Sequence, residues 1–219
     1  MSSFPGSPRL IKGGLVLLDP VTSAVQRVIT LQYNPDQLSR SLQIQGQTGE
    51  GDRLEALRLK GPPIETIKLE AEIDATDQLE FPDQNPEAVQ LGIAPQLAAI
   101  ETVIYPDSLQ LQNADQYAAS GAFEIFPTSA PLTLFVAGKN RIVPVRITEF
   151  SVTEEAFDPS LNPLRAKVSL GMRVLSVNDL DFASKGNSLY MIYQQTKERM
   201  AKSASGNNLS TLGLGGSSL

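Results

Sequence analysis

The sequence predicts a mainly β fold of the α+β class: an antiparallel β-barrel or sandwich with one or two helices, one of them amphipathic and C-terminal. Three observations predict it. Residues 64–74, IETIKLEAEID, set Ile67, Leu69, Ala71 and Ile73 against Lys68, Glu70, Glu72 and Asp74. That is the period-2 alternation of a strand with one face in a core and the other in water. Further short apolar runs recur between turn signals, as in barrels and sandwiches. Near residue 190 the apolar spacing lengthens to that of a helix.

Residues 1–9 are rich in Ser, Pro and Gly and read as a mobile arm ahead of a β domain spanning 10–186. The first strand runs from Leu10 to Leu18 and ends at Asp19-Pro20. The second, Val25 to Tyr33, places Val25, Ile29, Leu31 and Tyr33 on one face, with Arg27 the polar exception. Asn34-Pro35-Asp36-Gln37 turns the chain, because Pro presets φ and Asn favours the position before it. Leu38 to Ile44 makes a third strand, and residues 45–62, with four glycines, make a loop. Strand 64–74 follows.

Asn85-Pro86-Glu87 signals a helix start with Asn at the N-cap and Pro at the first turn. This inserted helix covers about 86–105. Pro95 breaks and restarts it, Leu97, Ile100, Val103 and Ile104 supply the buried side, and Pro106 ends it. Residues 105–130 show no sustained period and read as a docking loop that orders on a partner. Leu132 to Ala137 is a strand, Gly138-Lys139-Asn140 a hairpin turn, and Ile142 to Thr153 the return strand. Its apolar parity switches near Thr148-Glu149, which predicts a β-bulge. Ala166, Val168, Leu170, Met172 and Val174 define the last strand, within Leu164–Val177. A helix of about 188–202, in a unit spanning 187–203, turns Leu189, Ile192, Tyr193, Thr196 and Met200 to one side. Residues 204–219 are a Gly/Ser-rich tail.

The composition excludes several chemistries. The 219 residues contain neither His nor Cys, so catalytic triads, thiolate chemistry and His- or Cys-ligated zinc are out. Without Trp, a Trp-lined sugar platform is out as well. A net charge of −6 with no basic face disfavours nucleic acid. No apolar run reaches the roughly 18 residues of a membrane helix. Synthesis in the cytoplasm and no membrane insertion are expected.

The best enzyme candidate is Glu154, Glu155 and Asp158, within EEAFDPSLNPLRAKV at 154–168. Paired carboxylates can divide acid and base roles only if they converge. Adjacent strand residues face opposite sides, so Glu154 and Glu155 do not. Two prolines make the segment a stiff reversal. As a calcium loop, DPSLNP lacks glycine and offers one carboxylate; Asp74, Asp77 and Glu80 also fall short of the ligand count. Ala137-Gly138-Lys139-Asn140 lacks the upstream glycine and following Ser/Thr of a phosphate loop. Tyr190 and Tyr193 are core or interface aromatics. No cofactor and no metal are expected.

Three segments together resemble the tube-initiator and hub-adaptor proteins of contractile, phage-tail-like injection systems, the injection-system tube protein N-terminal domain family. They are Tyr33-Asn34-Pro35 followed by Leu38-Ser39-Arg40-Ser41; the strand IETIKLEAEIDAT at 64–76; and VPVRITEFSVTEEAFDPSLNPLRAKVSLGMRVL at 143–175, a closing hairpin with an acidic-aromatic turn. The helix at 188–202 is similar to that family's C-terminal helix. The resemblance spans most of 10–202. Many relatives carry a LysM module after this domain, and GNNLSTLGLGGSSL is too short for one.

The resemblance implies the tail-tube fold and a non-enzymatic structural role: a ring, hexameric in the family, at the baseplate between spike hub and inner tube, initiating tube assembly. The implied partners are other copies of the chain, the spike hub protein, the inner tube protein and further baseplate subunits. The particle would be released or membrane-docked. Glu154, Glu155, Asp158, Lys68, Glu70 and Glu72 are then candidate inter-subunit contacts. A β-rich protein-binding module and a carboxylate-based hydrolase are the alternative functions.

Overall fold

A computed structural model describes residues 11–46, 58–119 and 130–204. The expectations for the N-terminal arm, the tip of the 45–62 loop, residues 120–129 and the Gly/Ser tail lie outside the described residues. Seven strands form one antiparallel sheet: β1 (Gly14–Leu18), β2 (Val25–Thr30), β3 (Leu38–Gln43), β4 (Ile64–Asp74), β5 (Leu132–Val136), β6 (Ile142–Phe157) and β7 (Pro163–Val174). Their order is β2-β1-β5-β6-β7-β4-β3. With the α-helices α1 (Thr76–Leu79), α2 (Pro86–Leu91), α3 (Ala94–Glu101), α4 (Ser108–Ala119) and α5 (Lys185–Ser203) among the described residues, the molecule is of the α+β class.

The sheet is rolled. Four strands separate β2 from β4, so a flat sheet would hold them ~24 Å apart at ~4.8 Å per strand. Yet Gln32, two residues past β2, donates from its amide to the Asp74 carbonyl at 2.7 Å and accepts from the Asp74 N–H at 2.9 Å. One side chain thus offers the donor and acceptor that a ladder partner would offer. No β2–β3 ladder closes the roll among the described residues. The connection 31–37 spans that gap, anchored where Asn34 donates to the Ile11 carbonyl and accepts from the Gly13 N–H, both at 2.9 Å.

One contiguous core fills the roll. It draws Leu15, Leu17, Ile29 and Leu31 from one side, Ile67, Leu69, Ala71 and Ile73 from the other, and Ile93, Leu97 and Ile100 from α3 and the residue before it. Each large aliphatic side chain fully buried there contributes ~1.5–3 kcal/mol before entropy is counted. Strand β6 is shared between two regions. Its first four residues pair with β5, whereas the stretch from Val145 to Phe157 pairs with β7, with a register shift between Ile147 and Glu149. That shift is the expected bulge, and the Thr148 hydroxyl there donates to the Gly171 carbonyl at 3.2 Å.

Several boundaries move. Residues 108–119 are helical, not loop. Asp107 starts α4 by accepting from the Leu109 N–H at 2.9 Å. Every position of α4 whose exposure is described is exposed, so those positions mark out no buried stripe. Asn85 does precede Pro86 at the start of α2 but makes no capping bond. Its amide instead donates to the Gln78 and Phe81 carbonyls at 3.0 Å. In α5, Ser184 caps by accepting from the Asn187 N–H. The buried stripe there is Gly186, Asn187, Tyr190, Tyr193 and Thr196, while Ile192 and Met200 are exposed. The tyrosines displace the aliphatics because a phenol buries a large ring while its hydroxyl stays bonded.

Candidate functional site

Three features stand out, all built by the strands around β7. The first is the polar face of β4, β7 and β6. Lys68 of β4 and Glu149 of β6 both lie opposite Gly171 of β7. With no side chain at 171, the lysine reaches across the intervening strand and its Nζ meets Glu149 Oε2 at 2.6 Å. A Cβ at 171 would stand 2.8 Å from Glu149 Cβ. Further along, Glu70 faces Ser169, Glu72 faces Lys167 and Asp74 faces Arg165. Glu155 lies 3.4 Å from Arg165 and 3.5 Å from Lys167. The loop Tyr33-Asn34-Pro35-Asp36-Gln37 overhangs this face and encloses an open polar cavity of about 750 Å³ that includes Lys68, Glu70 and Glu72. Burial, then the charges of Asp77 and Asp74, raises the Tyr33 phenol above its ordinary pKa. Exposed ion pairs of this kind stabilise the monomer little, ~0–1 kcal/mol each.

The second feature is the tip of the β6–β7 hairpin. The Leu161 N–H donates to the Asp158 carbonyl at 3.0 Å, with Pro159 presetting the turn between them. The Asp158 carboxylate accepts from the Ser160 and Asn162 N–H groups and from the Asn162 amide, at 2.7–2.8 Å. Those bonds, the Asn162 side chain first, hold its pKa below the ordinary aspartate value. Ala156 and Leu161 have φ of 54° and 64°, a left-handed conformation that glycine adopts freely and leucine does not. The Asn162 amide also donates to the Gln90 carbonyl at 3.0 Å, and the Ile93 N–H donates to the Pro163 carbonyl at 2.8 Å, which seats the hairpin on α2 and α3. Gly92, with φ of 58°, permits this approach: a Cβ there would lie 2.1 Å from the Pro163 oxygen.

The third feature is a buried carboxylate. Glu65 is 3% exposed. It sits on the apolar parity of β4, in register with β3, and pairs with Arg40 at 2.7 Å. The Tyr193 hydroxyl donates to it at 3.0 Å, and Lys197 lies 3.5 Å away, its ammonium 4.2 Å above the Tyr193 ring. Burial, then the charge of Glu65, pushes the Tyr193 phenol up to about 12. One carboxylate thereby fastens α5 to the β3–β4 edge. A buried charge is tolerated in this way only when paired and hydrogen-bonded.

The six predicted contact residues therefore divide. Lys68, Glu70 and Glu72 share the polar face with Glu155. Glu154 lies opposite Ala166 on the other side of β6, and the Asp158 carboxylate is engaged within its own turn. The three carboxylates of the hydrolase alternative do not converge, and no group of three or more potential metal-ligating side chains occurs among the described residues. Sequence reasoning missed Glu65 and Gln32. A signal for Glu65 existed: it is a charged residue at the parity of Ile67 and Leu69. Gln32 carries none, since its partner lies 42 residues away.

No family model matches the chain, and no curated protein matches it. Among solved structures it is similar to a chain in the tail of an empty gene transfer agent particle of C6 symmetry. The identity there is 14%, covering 74% of this chain and 90% of that one, with a TM-score of 0.27. It is similar in the same proportions to a chain of the native gene transfer agent virion, with a TM-score of 0.26. No helix among the described residues is long and apolar enough to cross a membrane.

Proposed function

We propose that this chain is a structural subunit of a contractile, phage-tail-like injection particle, forming a ring at the baseplate that joins the spike hub to the inner tube and starts tube assembly. The observation that carries the reading is the free flank of β6. Only Ile142–Val145 pair with β5. From Arg146 to Phe157 that side of the strand has no ladder partner among the described residues, leaving twelve residues of sheet edge. A long unpaired edge is a template for another chain, and a head-to-tail contact that closes on itself makes a ring. The polar face beside it, with charges of both signs interleaved, suits a wall or a wet contact better than a catalytic pocket. The sequence resemblance in 33–41, 64–76 and 143–175 supplies the particle class. The likeness to gene transfer agent chains is too distant to add to it.

The test is co-expression with the neighbouring tube and hub proteins, followed by negative-stain microscopy and light scattering. Rings of uniform diameter are expected. A chain that stays monomeric and joins no tube or baseplate overturns the proposal. Capture of an extended peptide on β6 by such a monomer would instead favour a protein-binding module.

A further inference from the structure

We propose that the hairpin tip of one copy docks, through Leu161, into a notch on a second copy at the corner where β5 begins and β6 runs on past it. This deepens the assembly reading above and rests on it only for the expectation that the chain self-associates.

The knob is unusual on physical grounds. Leu161 is 79% exposed, so its side chain gains almost nothing within its own subunit. Its backbone is nevertheless held at φ 64°, where a leucine is strained and a glycine would not be. Both costs are offset if the side chain is buried elsewhere. Its surroundings are apolar and acidic. Phe157 and, on the α2 seat, Leu91 are also exposed. Glu155 is paired with Arg165 and Lys167, so the tip's negative charge comes from Glu154 and Asp158, and α2 adds Glu87 with no cation.

The notch has the complementary character. It encloses about 420 Å³ between Val103, Ile104, Leu132, Ile147, Leu175 and Leu180, with the cations Arg146 and Lys185 also lining it. Nearby Asp179 does not neutralise that rim, because its carboxylate is held by Arg173 at 2.6 Å and by Ser176 at 3.0 Å. The wall is close-built: a Cβ on Gly186 would meet Leu180 at 2.7 Å and Leu132 at 3.2 Å. Size, apolarity and opposite charge therefore match the knob. The tip cannot enter the notch of its own subunit. Ile147 lines the notch and Phe157 opens the tip, and ten residues of strand β6 separate them, ~34 Å. The occupant is a second copy, and the contact is heterologous, propagating around a ring or along a stack.

The chain contains no cysteine, so site-specific disulfide trapping reads the contact directly. The full-length Leu161→Cys and Leu180→Cys variants are mixed and mildly oxidised, alone and in co-expressed assemblies, and the disulfide-linked dimer is quantified on non-reducing gels. The control replaces Leu161→Cys with Val21→Cys, at a position 89% exposed. At least a ten-fold excess of the 161–180 dimer over the control is expected. Lys185→Cys on the rim serves as a second acceptor should Leu180→Cys fail to fold. Equal yields with both acceptors, alone and in assemblies, overturn the contact. Leu161→Asp should abolish association while the circular dichroism spectrum and melting temperature stay as in the parent; unchanged association overturns the proposal as well. Rings that form without the 161–180 dimer sink this contact and leave the ring reading standing. The dimer found in particles that are not rings does the reverse.

Discussion

Replacing Gln32 tests whether the roll of the sheet depends on one side chain. Gln32→Leu keeps the bulk and removes both bonds to Asp74, at 2.7 and 2.9 Å. Each such bond contributes a net ~0.5–1.5 kcal/mol, and the stranded Asp74 N–H and carbonyl add a desolvation cost where water cannot reach them. The site is part-buried, so a loss of about 2 kcal/mol is expected. In a domain of this size that lowers the melting temperature by ~4–8 °C. Gln32→Glu separates the two bonds. A carboxylate still accepts from the Asp74 N–H but repels the Asp74 carbonyl, and its charge joins that of Asp74 and Asp77. The introduced carboxyl should therefore have a raised folded pKa. The stability of this variant should be highest below the unfolded value of ~4.3 and fall as pH rises through the folded pKa. The control is Gln26→Ala, which loses a single exposed bond to Asp19 and should shift stability by under ~0.5 kcal/mol. Urea unfolding gives the free energies, and hydrogen exchange at the Asp74 amide reports the closure itself. If Gln32→Leu unfolds within ~0.5 kcal/mol of the parent and the Asp74 amide stays protected, the clasp does not hold the roll and the reasoning fails.

Four further outcomes follow from single contacts. Gly171→Ala should destabilise by ~1–2 kcal/mol in urea unfolding, against the usual gain of replacing a strand glycine, because the new Cβ strikes Glu149 and parts it from Lys68. Glu65→Ala should cost ~2–3 kcal/mol, less than a fully buried pair because Arg40 and Lys197 can rehydrate, and should make α5 the first site of limited proteolysis. With the Tyr193 phenol raised to about 12, its contribution is complete below pH ~10 and is lost as pH rises from there through 12; Tyr193→Phe should flatten that alkaline decline, read by tyrosinate absorbance alongside unfolding. Leu161→Gly should raise the stability of the isolated subunit by ~0.5 kcal/mol, a gain checked by thermal melting, while weakening its association.

The parts of the fold legible in the sequence are those governed by local periodicity. Strand 64–74 coincides with its alternation because water lies on one side and core on the other. The bulge at Thr148 is visible because it moves Phe150 and Val152 to the parity opposite Val143 and Val145. The helix at 108–119 has no such signature, since its sequence, SLQLQNADQYAA, keeps no sustained apolar period. On α5, Tyr193 and Thr196 lie on the buried side as the spacing predicts, whereas Ile192 and Met200 are exposed: the neighbouring charge of Glu65 selects tyrosine. Of the candidate site, the mutual isolation of Glu154 and Glu155 followed from strand parity alone. The Lys68–Glu149 pair did not, since it depends on a gap at Gly171 that only the register reveals. Closure by Gln32 is a long-range event with no local signature.

The fastening of α5 has a kinetic consequence. Glu65 and its partner Lys197 are 132 residues apart, and Tyr193 is 128 residues from Glu65. During synthesis β3 and β4 emerge early, with Arg40 as the only member of that cluster yet available to the carboxylate. Until residues 193–197 have left the ribosome, that edge of the sheet holds an under-compensated charge where its finished form is dry. Completion of the β3–β4 edge is thus coupled to the arrival of a helix made much later. The finished surface of that edge is thereby withheld until residues 193–197 have been translated.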